Sequence, residues 1–202
     1  MPKAAVLAGL LSLGVGLGVV LAFNAPVPQE RPAIEWLENP RKLSEFQLQT
    51  EDGAFTNQSL EGHWTIVLFN FLHCPDVCPI SLSQLAELAR NLRASPGSQD
   101  VAYVFVSVDP GRDSIAEVSE YARYFEPAIR GVVGAEAQLQ TFASDLGIQF
   151  KVSAGDNDYD VAHSITFSII DPTGQMLGRF RPGFAMPDLT REFVLKISSS
   201  QV

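Results

Sequence analysis

The chain has 202 residues, of which 46% are hydrophobic and 18% charged, a composition typical of a globular protein rather than a disordered or fibrous one. Its net charge of -9, without a run of basic residues, counts against a nucleic acid as a partner, because phosphate binding relies on clustered Lys and Arg. The two cysteines lie four residues apart, too few and too close for a structural disulfide framework, so they indicate redox chemistry or metal binding.

The first predicted element is a membrane anchor. Residues 4–23 carry no charge, and a helix of twenty residues spans about 30 Å, the thickness of a bilayer's hydrocarbon core. A cleaved signal peptide is the alternative, but its apolar region is usually shorter, and Phe23 and Pro26 flank a poor cleavage site. Lys3 precedes the helix, which favours an N-terminus on the cytoplasmic side of the membrane and a domain on the opposite side. We therefore predict residues 1–23 as an uncleaved single-pass anchor.

A tether and then a folded domain are predicted to follow the anchor. Residues 24–40 contain four prolines, a spacing typical of an extended tether. The domain is predicted over residues 41–202. Its first elements are a hairpin around the turn at residues 51–53 and an apolar strand over residues 63–71, the kind that is buried on both faces of a sheet.

The remaining pattern alternates between helices and strands. It predicts helices over residues 78–93, 114–125, 135–146 and 189–197, a strand over 101–108, and a hairpin of strands 165–170 and 176–180 around the turn DPTG. Alternating βαβ elements followed by a hairpin and a helix are the order of the thioredoxin fold. We therefore predict an α/β, thioredoxin-like domain with an N-terminal hairpin extension.

The motif HCPDVCP, from His73 to Pro79, lies between a predicted strand and the start of a predicted helix. The free N–H groups and the dipole of a helix N-terminus favour a thiolate over a thiol, and the thiolate is both the nucleophile and the metal ligand. The spacing of Cys74 and Cys78 suits either a disulfide or two bonds to one soft ion. Two cysteines that only fill core space would not need this turn.

His163 is the histidine best placed to complete a metal site. It precedes the predicted strand 165–170, and in a thioredoxin fold the segment entering that strand faces the cysteines. Two thiolates and one imidazole suit copper, whose Cu(I) state binds sulfur strongly and accepts few ligands. Structural zinc would need two more ligands. His63 and His73 are interpreted as ordinary surface or packing residues.

The chain resembles the Sco/SenC family of copper-binding proteins. The resemblance rests on HCPDVCP, on VDPGRD at residues 108–113, on YDVAHS at residues 159–164 and on DPTG at residues 171–174, in the order of the family and across the whole predicted domain. It implies that Cys74, Cys78 and His163 bind Cu(I), Cu(II) or both, and that the cysteines form a reversible disulfide.

The resemblance also implies a role and a place in the cell. The chain would deliver copper to the binuclear copper centre of a respiratory cytochrome c oxidase, or reduce its thiols, with the copper-accepting subunit and a thioredoxin-like reductant as partners. It would lie in a bacterial inner membrane with its domain in the periplasm or an equivalent space. The family often has an acidic residue where this chain has Ala162, and Asp160 or Asp109 is a candidate replacement for this polarising carboxylate.

Two acidic stretches receive simpler interpretations. VDPGRD is interpreted as a turn after a buried strand in which Arg112 pairs with a carboxylate, rather than as a participant in copper transfer. The run from Asp156 to Asp160 lacks the Gly and the Glu of an EF-hand calcium loop, and it is interpreted as a solvated loop.

Whether the protein is an enzyme stays open at this point. A membrane-anchored thiol–disulfide oxidoreductase is the main alternative, because the cysteine motif serves both functions. Against it, such enzymes usually carry a proline before the strand that faces the active site, where this chain has His163, and they carry CxxC rather than CxxxC. A peroxiredoxin-like peroxidase would need Thr or Ser where Phe71 stands.

Overall fold

The structure, a computed structural model, describes residues 32–74, 77–98, 100–153, 160–163 and 165–200, with the backbone alone at residues 77, 153 and 160–163. The predicted anchor and most of the predicted tether lie outside these residues. No helix within the described ranges combines the length and the apolar character needed to cross a membrane.

The described domain contains ten strands and four α-helices. The strands are β1 (Glu35–Arg41), β2 (Gln47–Thr50), β3 (Gly53–Thr56), β4 (Trp64–Asn70), β5 (Val101–Ser107), β6 (Ile129–Val132), β7 (Phe150–Ser153), β8 (Asp160–His163), β9 (Phe167–Ile170) and β10 (Met176–Phe180). The helices are α1 (Val77–Ala94), α2 (Ile115–Phe125), α3 (Glu136–Asp145) and α4 (Met186–Ser199), and a 3₁₀ turn spans Asn57–Leu60.

Six of these strands form one sheet in the order β1-β10-β9-β4-β5-β6. β4, β5 and β6 run parallel, whereas β9, β10 and β1 join the other side of β4 in antiparallel register. The crossovers between the parallel strands are α1 and α2, as expected for βαβ units. β2–β3 and β7–β8 form separate two-stranded hairpins. The predicted hairpin, the βαβ order and the closing hairpin and helix are therefore confirmed.

The core lies on both faces of the sheet because successive side chains of β4 point to opposite sides. Ile66 and Leu68 belong to a cluster that α1, α2 and α4 cover, and Phe193 of α4 is fully buried within it. Val67 and Phe69 belong to the cluster on the other face, which contains Phe142 of α3, Phe46, Phe55 and the side chain of Cys78. The apolar run of β4 is thus buried throughout, and its carboxyl end delivers the chain to the first cysteine.

The chain enters the sheet earlier than the predicted end of the tether at residue 40. β1, with the sequence EWLENPR, pairs with β10, and Arg179 of β10 holds Glu35 of β1 in a bidentate ion pair at 2.7 and 2.9 Å. Two further elements were not predicted: the short strand β6 at the edge of the six-stranded sheet, and the hairpin β7–β8. His163 is the last residue of β8 rather than part of a loop.

Candidate metal centre

The residues of the motif HCPDVCP follow directly from β4, which ends at Asn70, and lead into α1, which begins at Val77. We call residues 71–78 the cysteine turn; residues 75 and 76 and the side chain of residue 77 lie outside the described part. Cys78 is 1% exposed and lies in the first turn of the helix, and Cys74 is half-buried and packs against the same apolar cluster. The structure has no disulfide between Cys74 and Cys78.

The two thiols are hydrogen-bonded to each other, and the surroundings of Cys78 control its protonation. Burial raises the pKa of the Cys78 thiol well above its ordinary value, and a hydrogen bond with the side chain of Cys74 raises it further. Hydrogen bonds from the Phe71 backbone and the Asn70 side chain act in the opposite direction without overcoming the burial. The surroundings of Cys78 thus favour its neutral thiol in the metal-free protein, whereas a helix N-terminus by itself favours a thiolate.

Asn70 fixes the cysteine turn from inside the protein. Its side chain is 1% exposed, and its Nδ2 donates to the Cys78 carbonyl at 3.2 Å and to Ser81 Oγ at 3.1 Å. Its Oδ1 accepts from the Phe71 N–H at 3.0 Å. Ser81 Oγ in turn donates to the Cys78 carbonyl at 3.1 Å. The end of β4 and the first turn of α1 are thereby held together by one buried amide.

The loop that follows β5 supports the cysteine turn from the neighbouring strand. We call residues 108–113 the carboxylate loop. Asp113 Oδ2 accepts from the Leu72 N–H at 3.0 Å and from the Ser107 hydroxyl at 2.6 Å, and the Asp113 side chain is fully buried. Its Oδ1 lies 3.4 Å from His73 Nδ1. A carboxylate 41 residues away in the chain therefore orients the residues immediately before Cys74.

The interpretation of Arg112 is confirmed. Its Nε donates to Asp109 Oδ2 at 2.6 Å, and the Asp109 side chain is fully buried. The backbone N–H groups of Arg112 and Asp113 donate to the Asp109 carbonyl at 3.2 and 3.0 Å, so the loop closes as a tight turn. Asp109, one of the two carboxylates considered as a replacement for an acid at position 162, thus has a guanidinium partner.

The three histidines lie in three different settings. The backbone of His163 pairs with Phe150 of β7, and the Phe150 side chain belongs to the same buried cluster as Cys78. The His73 side chain is 55% exposed, and its Nδ1 lies 3.4 Å from Asp113 Oδ1. His63 immediately precedes β4, at the end of the strand opposite to the cysteine turn.

Sequence reasoning missed Asp113 and His73 as neighbours, although a signal was present. β4 and β5 are both buried apolar strands joined through a helix, which predicts a parallel pair. The carboxyl ends of adjacent parallel strands meet at one edge of a sheet, and functional residues collect there. Applied to β4 and β5, this rule predicts that the motif VDPGRD lies beside the motif HCPDVCP.

Comparison with known proteins gives the family. A model of the SCO1/SenC family matches residues 35–195 of this chain. The human mitochondrial protein SCO2 homolog is 30% identical over 200 residues, covering 95% of this chain and 75% of that protein. The mitochondrial protein SCO1 homolog 1 of Arabidopsis thaliana is 38% identical over 129 residues, which are 63% of this chain but only 38% of that protein's length.

A solved structure agrees with these matches. Arabidopsis thaliana ScoI, crystallised with copper bound, superposes with a TM-score of 0.71 at 32% identity and covers 77% of this chain and 98% of its own. The similarity confirms the predicted thioredoxin-like α/β fold. The family match includes the cysteine turn, the carboxylate loop and residue 163 within one continuous range. This chain belongs to the SCO1/SenC family.

Proposed function

We propose that this protein binds copper through Cys74, Cys78 and His163 and delivers it to the binuclear copper centre of a respiratory cytochrome c oxidase. One observation carries the proposal: two reduced cysteine thiols are in contact at the start of a helix, with one half-buried and the other fully buried. Membership of the SCO1/SenC family and the similarity to a relative crystallised with copper support it.

The donor set suits Cu(I) as the cargo. Two sulfur ligands match a soft ion, and an imidazole completes a low-coordinate site. Cys74 is the more accessible of the two thiols, so copper meets it first. Cys78 then has to lose its proton, and because burial raises the pKa of that thiol, copper binding releases a proton at neutral pH. The same burial keeps the Cys78 thiol protonated in the metal-free protein.

The path of copper would begin outside the membrane. Residues 1–23 are proposed as an anchor in a bacterial inner membrane and the proline-containing residues that follow them as a tether, with the domain in the periplasm. The copper-accepting oxidase subunit and a thioredoxin-like reductant are the proposed partners. The contact between the two sulfurs also favours a second candidate function, in which the dithiol reduces a disulfide of the oxidase subunit.

A titration with Cu(I) tests the ligand set. The reduced full chain should take up one Cu(I) in competition with a Cu(I) chelator. Cys74→Ser should abolish this uptake and His163→Ala should weaken it, whereas His63→Ala removes a histidine at the far end of β4 and should leave it unchanged. If His163→Ala behaved like His63→Ala, His163 would not be a ligand.

A transfer assay separates delivery from thiol reduction. The copper-loaded chain is mixed with the oxidase subunit whose copper-site cysteines are reduced, and the metal-free reduced chain with the same subunit in its disulfide form. Delivery predicts copper transfer in the first mixture. Appearance of thiols in the second mixture alone would identify an oxidoreductase instead.

A further inference from the structure

We propose that His73, Asp109 and Asp113 form a second metal site, separate from the two cysteines, for a borderline divalent cation of the Cu(II) class. Each residue offers one ligand atom, and these atoms lie within 4.8 Å of one another. The proposal goes beyond copper binding by Cys74, Cys78 and His163, and it holds or fails independently of that site.

The distances between the three ligand atoms are compatible with their binding one cation. Nitrogen and oxygen ligands lie about 2.0–2.2 Å from a first-row divalent ion, so in the tetragonal arrangement that Cu(II) prefers they are roughly 3 Å apart when adjacent and roughly 4 Å apart when opposite. His73 Nδ1 and Asp113 Oδ1 are already 3.4 Å apart. The largest separation between the three ligand atoms is at most 4.8 Å.

An unsatisfied oxygen points to a ligand at this position. Asp113 Oδ1 accepts no hydrogen bond from any residue in the described part of the chain, although the Asp113 side chain is fully buried. Its other oxygen is engaged with the Leu72 N–H and the Ser107 hydroxyl, so the carboxylate is held with Oδ1 facing His73. A buried carboxylate oxygen without a donor is costly, and a bound cation would satisfy it.

The net charge of the group favours binding of a divalent cation. Asp109 and Asp113 supply two negative charges, and Arg112, at 2.6 Å from Asp109, offsets one of them. With a neutral imidazole the group carries one net negative charge before a cation binds. Both carboxylates are fully buried, which lowers the dielectric around them and strengthens their attraction for a cation.

The donor types distinguish this site from the cysteines. One imidazole nitrogen and two carboxylate oxygens suit borderline divalent ions, whereas two thiolates suit Cu(I). His73 is 55% exposed, so a cation in solution can reach the group past the imidazole. Because His73 directly precedes Cys74, a divalent ion bound here would lie beside the first thiol of the cysteine turn.

The test uses the full chain with Cys74→Ser and Cys78→Ser, in which the proposed Cu(I) site is absent. This protein is titrated with Cu(II), followed by calorimetry and electron paramagnetic resonance. We expect one tightly bound Cu(II) per chain whose spectrum shows a single imidazole nitrogen. Adding His73→Gln should weaken binding at least about tenfold, the loss that removal of even an outer partner of a metal ligand causes.

Three further variants in the same background make the result decisive. His63→Gln also removes one imidazole and should leave affinity and spectrum unchanged, and His163→Gln should do the same. Asp113→Asn should weaken binding as His73→Gln does, with folding verified by circular dichroism. If His73→Gln matches His63→Gln in affinity and spectrum, or if His163→Gln alone abolishes binding, the proposed second site is refuted.

Discussion

The cysteine turn after β4 and the carboxylate loop after β5 lie at the same edge of the sheet, yet they bury different chemistry. The cysteine turn places the Cys78 sulfur in an apolar cluster with Phe69 and Phe142, where the neutral thiol is favoured. The carboxylate loop buries Asp109 and Asp113 with a guanidinium, a hydroxyl and backbone N–H groups around them. The strand β4 is thus followed by two soft sulfur donors, and the adjacent parallel strand β5 is followed by two hard carboxylate donors.

The difference shows how the two regions depend on each other. Hydrogen bonds from two other parts of the fold hold the cysteine turn: Asn70 from within β4 and Asp113 from the carboxylate loop. The carboxylate loop closes through its own backbone hydrogen bonds. The structure therefore predicts that a substitution in the carboxylate loop also disturbs the cysteine turn. Four effects are expected, from the largest to the smallest.

The largest effect is expected from Asp113→Ala. The change leaves the Leu72 N–H and the Ser107 hydroxyl without their acceptor, and we expect the free energy of unfolding to fall by about 3 kcal/mol. Urea unfolding of the metal-free chain measures it. The matched control is Asp52→Ala at an exposed turn position, where we expect a change below about 0.5 kcal/mol. Equal effects for the two variants would contradict the supporting role of the carboxylate loop.

A smaller loss is expected from Asn70→Ala. The amide makes three buried hydrogen bonds, and its removal takes one partner each from the Phe71 N–H, the Cys78 carbonyl and Ser81 Oγ, for a cost of about 2 kcal/mol. The same unfolding experiment applies. Asn91→Ala, in the last turn of α1, is the control and should be neutral or slightly stabilising because Ala favours helices. An unchanged stability of Asn70→Ala would mean that the turn is fixed by other contacts.

The two thiols should differ in reactivity. At pH 8 we expect iodoacetamide to modify Cys74 at least about ten times faster than Cys78, because the thiolate is the reactive form and burial both shields Cys78 and raises its pKa. Mass spectrometry of the metal-free reduced chain over time gives both rates. Equal rates would show that Cys78 is as accessible as Cys74 and would remove the contrast between the sulfurs.

The smallest effect concerns stability at high pH. The Cys78 thiol loses its proton near pH ~8.5 when unfolded but at higher pH when folded, so above about pH 8.5 the unfolded chain binds fewer protons. The contribution of the Cys78 thiol to stability is complete below that pH and falls above it by at most about 1.4 kcal/mol per pH unit.

Thermal unfolding between about pH 8 and about pH 9.5 should show this decrease in stability in the wild type, and the decrease should be absent in Cys78→Ser. Burial also raises the pKa of Tyr103, which adds a loss of the same sign near pH ~10 and above in both proteins. Identical slopes in the two proteins would contradict the burial of the sulfur.

Local pattern was enough to predict the central elements. β4 is apolar along its whole length, and the hairpin β2–β3 alternates on either side of a turn, so both follow from side-chain periodicity. β1 could not be found in this way, because its charged, proline-containing sequence becomes a strand only by pairing with β10, 135 or more residues away. The strands of β7–β8 have four residues each and flank an acidic run, so their pairing is also a tertiary property.

The site was predictable where the residues are close in the chain and not where they are distant. The contact between Cys74 and Cys78 follows from their spacing at a helix start. The contact of Asp113 with Leu72 joins residues 41 positions apart and depends on the register of two parallel strands. The protonation of Cys78 depends on apolar neighbours from β4 and α3, which no local sequence rule includes.

The most direct test of the account is X-ray absorption at the copper edge of the reduced full chain loaded with one Cu(I). If Cys74, Cys78 and His163 hold the ion, the spectrum should contain two sulfur ligands at about 2.3 Å and one nitrogen ligand at about 2.0 Å, and His163→Ala should lose the nitrogen while keeping both sulfurs. A first shell of nitrogen and oxygen alone, or a nitrogen that survives His163→Ala, would contradict it.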